Sequence, residues 1–489
     1  MTLKLFFGLV LVLIVGTGLY HSLKPLPTGI AYEGSMHPLI EPRLLTDRTL
    51  HFGNEAPRLN HEIFDHALKM IGSAHQFILV DMFLYNSTGG SGEDRKRPNG
   101  DTHLKSRPLA DQLTDALIRQ KEAFPALQAM VITDPLNTLY GGVESEHFQR
   151  LESAGIPVIE TRLTPLRDSN PTWSALWRLC CQWFGNSAQS GWLPNPIGDE
   201  PVTLRSYLSL LNFKANHRKV LIADQQNHFR ALVSSANPHD GSSQHSNIGL
   251  SFQGPAVADL LRSERAVLVM SGAPTQAVDN ALGEISETAE ASDARIQILT
   301  ESAIRDATLE MVTMAESGDQ LDLAMFYLSH RGILTSLIKA SRRGVHVRVL
   351  LDANHDAFGR EKSGVPNRQA AMELHNNGVD VRWCNTRGEQ CHSKLLLRQD
   401  RDGQASMLLG SANFTRRNLD DLNLETDVQV LAYRSHPTIA KADLFFEEQW
   451  NNGPGNPAVM SLPYKAWADH SRVRYWQYRF MEATGLSTF

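Results

Sequence analysis

Apolar residues fall along this chain in runs of three kinds, and the order of those runs outlines the architecture. Residues 5–20 are apolar or small and carry no charge, and they follow Lys4 and the amino terminus. The run is a little short of the ~20 residues of a full span. It reads as an uncleaved membrane anchor or, alternatively, a cleaved signal; Gly16-Thr17-Gly18 is a poor substitute for a cleavage site. Residues 21–45 are rich in Pro and Gly and read as a tether. Helical periodicity then covers 60–71, followed by a strand pattern over 77–85. The same pair returns as a helix near 304–315 and a strand over 321–328.

Each of these strands precedes a helix and a further strand, 127–133 in the first half and 345–351 in the second. Matched segments come next, 151–159 against 374–381. This alternation predicts an α/β fold made of two similar domains, 46–270 and 294–489, joined by a linker at 271–293. The first half carries extra material at 87–105 and at about 166–211. The second insertion holds Trp173, Trp177, Trp183, Phe184 and Trp192. Tryptophan favours the boundary between headgroups and acyl chains, so a bilayer contact and ordinary packing of an aromatic helix are both open. Residues 472–480, aromatic and basic, have the same two readings.

Composition adds boundaries to this picture. A chain of 489 residues suits two domains. A net charge of −6 and a pI near 6.3 give no basic excess that would point to nucleic acid as the partner. The four cysteines, Cys180, Cys181, Cys384 and Cys391, lack C-x-x-C metal spacing. Cys384 and Cys391 flank a polar turn and stand either as a disulfide bracing the strand of His392 or as two free thiols.

The chemistry lies in a motif that occurs twice. His217-Arg218-Lys219 runs on to Asp224 and then to Ser234-Ser235-Ala236-Asn237; His392-Ser393-Lys394 runs on to Gly410-Ser411-Ala412-Asn413. In extended backbone, residues i and i+2 share a face, so each His and Lys converge while Arg218 or Ser393 points away. An imidazole attacks phosphorus or moves a proton, an ammonium neutralises phosphate oxygens, and Asn and Ser donate further hydrogen bonds.

The pair of motifs resembles the phospholipase D superfamily, whose two H-x-K-x-x-x-x-D motifs meet at one active site between similar domains. The resemblance covers about residues 50–450, and a membrane-tethered chain with two motifs looks like bacterial phospholipase D or phosphatidyltransferases of the cardiolipin synthase type, which implies hydrolysis of a phospholipid or transfer of its phosphatidyl group to an alcohol. It implies catalysis by His217, Lys219, His392 and Lys394, with His217 the nucleophile and His392 the acid and base. Ser235, Asn237, Ser411 and Asn413 are implied to bind substrate. It also implies a phospholipid substrate, a membrane setting on the periplasmic side of a bacterial inner membrane, and a site complete without an oligomer. No metal or other cofactor is implied, because two ammonium groups supply the positive charge. An exported nuclease of the same superfamily and a catalytically silent lipid-binding relative are the alternatives.

The two copies differ in ways that bear on the site. Asp224 lies five residues after its Lys and reads as a brace for the motif; in the second copy that place is Gln399, and Asp400 takes over if the strand bulges by one residue. Glu425, twelve residues past Asn413, fits the acid that family members use to hold an imidazole by its second nitrogen. The same count from Asn237 gives Gly249, so one acid is missing, with Asp240 as a possible substitute. The two histidines are therefore expected to be chemically inequivalent.

Overall fold

A computed structural model describes residues 3–52, 57–88, 106–226, 228–286, 291–357, 360–452, 458–487 and 489. Most of the insertion expected at 87–105 lies outside the described residues. The first half comprises, after the apolar helix α1 (Leu3–Leu23), the elements β1 (Ile40–Leu50), α2 (Ile63–Gly72), β2 (Phe77–Met82), α3 (Leu109–Ala123), β3 (Gln128–Thr133), α4 (Glu146–Ser153) and β4 (Val158–Glu160). It continues through α5 (Pro171–Cys180), α6 (Leu204–Leu210), β5 (Lys219–Gln225), β6 (His228–Ser234), β7 (Asn247–Gln253) and α7 (Ala256–Ser271).

The second half repeats this order without the α5–α6 insertion. Its elements are β8 (Arg295–Thr300), α8 (Ser302–Thr313), β9 (Gln320–Met325), α9 (Arg331–Arg342), β10 (His346–Leu351), α10 (Asn367–His375) and β11 (Asp380–Cys384). After these come β12 (Lys394–Gln399), β13 (Gln404–Gly410), β14 (Thr426–Tyr433), α11 (Pro437–Trp450) and the closing helix α12 (Arg472–Thr484).

Both sheets are mixed and have the same core order, β1-β7-β6-β5-β2-β3-β4 and β8-β14-β13-β12-β9-β10-β11. Their strands read as near-continuous apolar runs because both faces are covered. In β2, Phe77 and Leu79 face a core shared by the two halves, while Ile78 and Val80 pack under α2 and α3. In β12, Leu395 and Leu397 face the same shared core, and Leu396 faces the outer cluster of the second half. Two inner helices fill the space between the sheets. Val257, Leu260 and Leu261 of α7 and Ile439, Phe445 and Phe446 of α11 are buried there. The result is five layers, with helices outside, between and outside the two sheets, as the α/β expectation required.

Residues 21–45 are not a tether. Ala31 N–H donates to Glu301 Oε2 at 2.8 Å, Gly34 N–H to the Ile298 carbonyl at 2.8 Å, and Tyr32 Oη–H to Asp259 at 2.8 Å. His37 and Pro38 pair with Ile296 and Arg295, after which the chain crosses into the first sheet at Ile40, ahead of the expected domain start at 46. Pro and Gly suppress a periodic pattern without preventing order, because the strap's backbone groups find partners on the second half. The linker region holds a helix, Gln276–Glu284, with Val278 and Ala281 buried.

Among the described residues α1 is the one helix long and apolar enough to cross a membrane, and its side chains are almost all exposed. Its last turns lie on α5, with Gly18 against Pro171 and Ala175. Asp168 N–H donates to the His21 carbonyl at 3.0 Å, and Arg167 Nε to the Lys24 carbonyl at 2.9 Å. On α5 and the loop after it, Leu176, Leu179, Trp183 and Phe184 are exposed, whereas Trp177 is buried. Trp177 thus packs into the protein as an aromatic helix would, while Trp183 and Phe184 stay on the surface. Val473, Trp476 and Phe480 of α12 are exposed as well. Cys384 is bonded to Cys391, and Cys180 to its neighbour Cys181.

Candidate active site

The two motif strands begin at Lys219 and Lys394, and each histidine sits just before its strand, in backbone clamped by the other half. His217 N–H donates to the Leu424 carbonyl at 2.8 Å, and Leu424 N–H to the Ala215 carbonyl at 2.9 Å. The mirror pair is His392 N–H to the Ser246 carbonyl at 2.8 Å and Ser246 N–H to the Gln390 carbonyl at 3.0 Å. These reciprocal bridges bring the motifs together at the seam. Each lysine then folds back on its own motif: Lys219 Nζ donates to the His217 carbonyl at 2.6 Å, and Lys394 Nζ to that of His392 at 2.8 Å. Arg218 does point away, into the inner helix layer, where it pairs with Glu264 at 3.2 Å and Glu301 at 2.9 Å.

An aromatic ring covers each histidine. Phe83 lies 4.7 Å from the His217 ring and under Lys219 Nζ at 5.2 Å; Phe326 lies 5.0 Å from the His392 ring and under Lys394 Nζ at 5.3 Å. Both rings come directly after strands that pair with the motif strands, since Met82 is opposite Lys219 and Met325 opposite Lys394.

Each imidazole is held through Nδ1 by a side chain from the opposite half. His217 Nδ1 lies 3.0 and 2.9 Å from the two oxygens of Glu425. His392 Nδ1 lies 3.1 Å from Asn247 Oδ1. A donated Nδ1–H fixes the tautomer that leaves Nε2 with its lone pair. The acceptors differ in charge, one carboxylate and one amide, so the expected inequivalence is present but has another origin. Gly249 is not the counterpart of Glu425. Register pairs Gly249 with Ser234 and Asp427 with Gly410, which makes Gly249 the counterpart of Asp427 and Asn247 that of Glu425. The loop after Asn413 is two residues longer than the one after Asn237, an offset that equal counting could not detect. Asp240 does not substitute for an acid, because its carboxylate accepts from Ala110 N–H.

The remaining motif residues have partners within the protein. Ser235 and Ser411 are bonded beside the histidine acceptors: Ser235 Oγ donates to Asn247 Oδ1 at 2.9 Å and accepts from Ile248 N–H, and Ser411 Oγ donates to Glu425 and accepts from Thr426 N–H. They orient the groups that orient the histidines. Asp224 accepts from His75, Gln76 and Phe77 N–H at the far end of β5, about 16 Å along the strand from Lys219 at ~3.3 Å per residue. It fastens the start of β2 and touches no motif histidine. Asp400 is no replacement, because β12 pairs regularly through Gln399 and the extra residue falls in the hairpin turn. There Asp400 accepts from Asp402 and Gln404 N–H.

Asn237 and Asn413 follow β6 and β13, the partners of the motif strands, and end at the same side of each sheet as the histidines. Asn237 Oδ1 accepts from Leu84 N–H at 3.2 Å; the buried Asn413 Oδ1 has no partner among the described residues.

Burial sets the electrostatics. His217 and His392 are 9% and 7% exposed, and Lys219 and Lys394 about as deep as side chains go. Desolvation, then the charges of Lys219 and Lys394, holds the His217 imidazole well below its ordinary pKa. His392 is lowered by burial first, then by Lys394, His245 and Lys219. Burial lowers Lys219 to about 7 and Lys394 well below the usual lysine range, and it lifts Glu425 to about 7. Both imidazoles are neutral in the empty site, and the two lysines repel each other across it. A bound anion relieves both conditions. Among the described residues one carboxylate group has metal-like spacing, Asp322 with Asp443 and Glu447, but Arg348 already bridges Asp322 and Glu447 at 2.6 Å each.

Residues 309–450 match the family model described as "Cardiolipin synthase, PLD-like domain". That segment of the chain is phospholipase D-like. Its fold is that of the phosphatidylserine synthase of Haemophilus influenzae Rd KW20, which aligns over 94% of this chain and 95% of that one with a TM-score of 0.55 at 10% identity. A polyphosphate kinase from Porphyromonas gingivalis aligns over 91% of this chain and 53% of its own, at 13% identity and a TM-score of 0.46. A phospholipase D family member, Nuc, from Salmonella typhimurium covers 33% of this chain and 97% of its own, at 21% identity and a TM-score of 0.27. No curated protein sequence matches. Within this phospholipase D-like frame, Asn247, Phe83 and Phe326 are the site residues that sequence reasoning missed. The signal for Asn247 was present, since Asn247-Ile248-Gly249 aligns with Glu425-Thr426-Asp427 once loop lengths are allowed to differ.

Proposed function

We propose that this phospholipase D-like enzyme transfers or hydrolyses the phosphatidyl group of a phospholipid through a phosphohistidine on His217. Nε2 of neutral His217 attacks phosphorus, an N–P bond forms, and the bond to the leaving alkoxide breaks as His392, which takes up a proton at Nε2 when the phosphate anion binds, delivers that proton to the leaving oxygen. An incoming hydroxyl then loses its proton to His392, its oxygen attacks phosphorus, and the N–P bond breaks. Lys219, Lys394, Asn237 and Asn413 neutralise and hold the non-bridging oxygens throughout.

The observation that carries the reading is the crossed pair of Nδ1 acceptors. Attack spreads positive charge over the His217 ring, and the carboxylate of Glu425 compensates it. His392 must give up a proton as readily as it takes one, and the neutral amide of Asn247 orients it without fixing a charge. The helix α1 and the exposed apolar residues of α5 support a bilayer as the place of work; the periplasmic side of a bacterial inner membrane is carried by the family resemblance alone.

The deciding experiment incubates purified protein with labelled phosphatidylglycerol and a primary alcohol, then separates the lipid products. A phosphatidyl-alcohol or cardiolipin-type product is the expected result. Phosphatidic acid alone at every alcohol concentration would leave a hydrolase, and cleavage of oligonucleotides with lipid left intact would replace both with a nuclease.

A further inference from the structure

The last turn of α1 is bonded, through the His21 carbonyl and Asp168 N–H, to the wall of a cavity that the histidine pair does not line. Its volume is about 210 Å³, and it lies between the α5–α6 insertion and the segment leading into the first motif. Arg178, Arg205 and Lys214 line it together with a single carboxylate, Asp168. Lys24 reaches its rim through a bond from Nζ to the Thr164 carbonyl at 3.0 Å. Four basic side chains thus meet one acid, two of them guanidinium groups; burial lowers Lys24 to about 8 and Lys214 to about 7.

Donors remain available in this cluster. Arg178 commits Nε and Nη2 to Asp168 and the Thr164 carbonyl, while its Nη1 has no partner among the described residues. Lys214 Nζ bonds to the Leu166 carbonyl at 3.1 Å and to Asp168, which leaves one of its three N–H groups. Ion-pair requirements are met within the cluster, and positive charge is left over.

Depth relative to a bilayer suggests the ligand. If α1 spans, its exit at Leu23 lies at the level of lipid headgroups, and the bonds from Asp168 to His21 and from Arg167 to Lys24 fasten the cavity wall to that level. Trp177 lines the cavity, and the exposed Leu176, Leu179, Trp183 and Phe184 lie on the same helix and the loop after it. The volume is about seven times the ~30 Å³ share of a liquid water, enough for a phosphate group. Lys214 is also three residues from His217 in sequence.

We propose that this cavity binds the phosphate group of an anionic glycerophospholipid and holds that lipid at headgroup level beside the histidine pair. The inference rests on the phospholipid reading for its choice of carrier; the cavity's charge does not depend on it.

The test uses the full chain in neutral-detergent micelles, titrated calorimetrically with dihexanoyl phosphatidylglycerol, dihexanoyl phosphatidylcholine and inorganic phosphate. Wild type, Arg205→Gln and Lys214→Met are compared after their melting curves are recorded. The wild type is expected to bind phosphatidylglycerol at least tenfold tighter than phosphatidylcholine, and each folded variant to lose most of that preference. Competition by inorganic phosphate would mean that the phosphate is read from either source; preference for the lipid without such competition would mean that a lipid must carry it. Should Lys214→Met fail to fold, the half-buried Arg205 still decides the matter. Equal binding of the two lipids, or an unchanged preference in the folded variants, overturns the inference. Turnover of a soluble phosphodiester by the wild type is measured separately. Its absence would count against the histidine mechanism and leave the cavity result standing.

Discussion

Replacing Glu425 by Gln removes one charge from the site while keeping an acceptor of the same shape. The carboxylate lies 3.0 and 2.9 Å from His217 Nδ1, fully buried, and also accepts from Ser411 and Asn418. An amide oxygen can retain the contact to Nδ1, so the loss is the difference between a charged and a neutral acceptor. Hydrogen bonds to charged groups contribute about 1.5–3 kcal/mol and neutral ones about 1, which puts the difference near 0.5–2 kcal/mol. Burial lifts Glu425 to about 7, so its charge is shared with Lys219 in the resting site and grows in importance only as the ring becomes cationic. The full difference therefore falls on the transition state, and at 1.36 kcal/mol per decade kcat should drop about twofold to thirtyfold. The assay is hydrolysis of a soluble phosphodiester, followed by alkaline quenching and mass spectrometry of the phosphopeptide. The phosphate should be found on His217 in both proteins, with slower formation in Glu425→Gln. An unchanged kcat, or phosphate on His392, would refute the assignment of charge and roles. Asn247→Asp, which places a carboxylate on His392, should not rescue Glu425→Gln.

Three further outcomes follow from the same geometry. His217→Ala and His392→Ala should each abolish turnover while melting cooperatively, because neither imidazole can take the other's place; substantial residual turnover in either would rule out the two-histidine site. Deleting residues 1–23 should release the protein from membranes and spare turnover of a soluble substrate, whereas deleting residues 1–38 also removes the strap bonds to Thr300, Glu301, Asp259 and Ile298. At about 1 kcal/mol per bond, the bonds from Ala31 N–H to Glu301, Tyr32 N–H to Thr300, Tyr32 Oη–H to Asp259 and Gly34 N–H to Ile298 alone put the loss of unfolding stability in the longer deletion at about 4 kcal/mol or more, and equal stability of the two truncations would show the strap to be idle. On the alkaline side, kcat/KM should fall as pH rises through about 7, where the buried Lys219 loses its proton, and a profile flat to pH 9 would contradict a phosphate-neutralising role.

The histidine shifts carry a separate consequence for stability. His217 and His392 have folded pKa values depressed below the ordinary histidine value, so the unfolded chain binds more protons over that interval. Their contribution is intact above about pH 6.5 and is lost as the pH falls from there toward the folded values. Glu425 acts in the opposite sense, since its folded value is raised: its contribution is present below about pH 4.5 and is lost as the pH rises toward 7.

Much of the fold was legible because its signals are local. The charge-free run before residue 21, the alternation of strands and helices, and the repeat of both across the halves depend on periods of a few residues; β2 lies within the segment expected for it, and β9 begins one residue before its own. The strap was not legible, since its order comes from Glu301, Asp259 and Ile298, more than two hundred residues away. Spacing arguments succeeded along β5 and β12, where strand register preserves counting, and failed across the loops, where it does not. Asp400 and Gly249 were misassigned for that one reason: an extra residue in a hairpin turn and two in a loop leave the sheets aligned while shifting the numbers.

The same contrast explains why the site is built at the seam. Neither half contains a complete site, because the acceptor that fixes each imidazole comes from the other half, on backbone already paired across the interface at Leu424 and Ser246. A change that separates the halves would therefore free both tautomers together and remove Lys394 from the surroundings of His217. Divergence at Asn247 and Glu425 could give the histidines different duties without altering either motif strand. That places the asymmetry of the reaction in two side chains outside the motifs, where a search confined to the repeated His and Lys would not look.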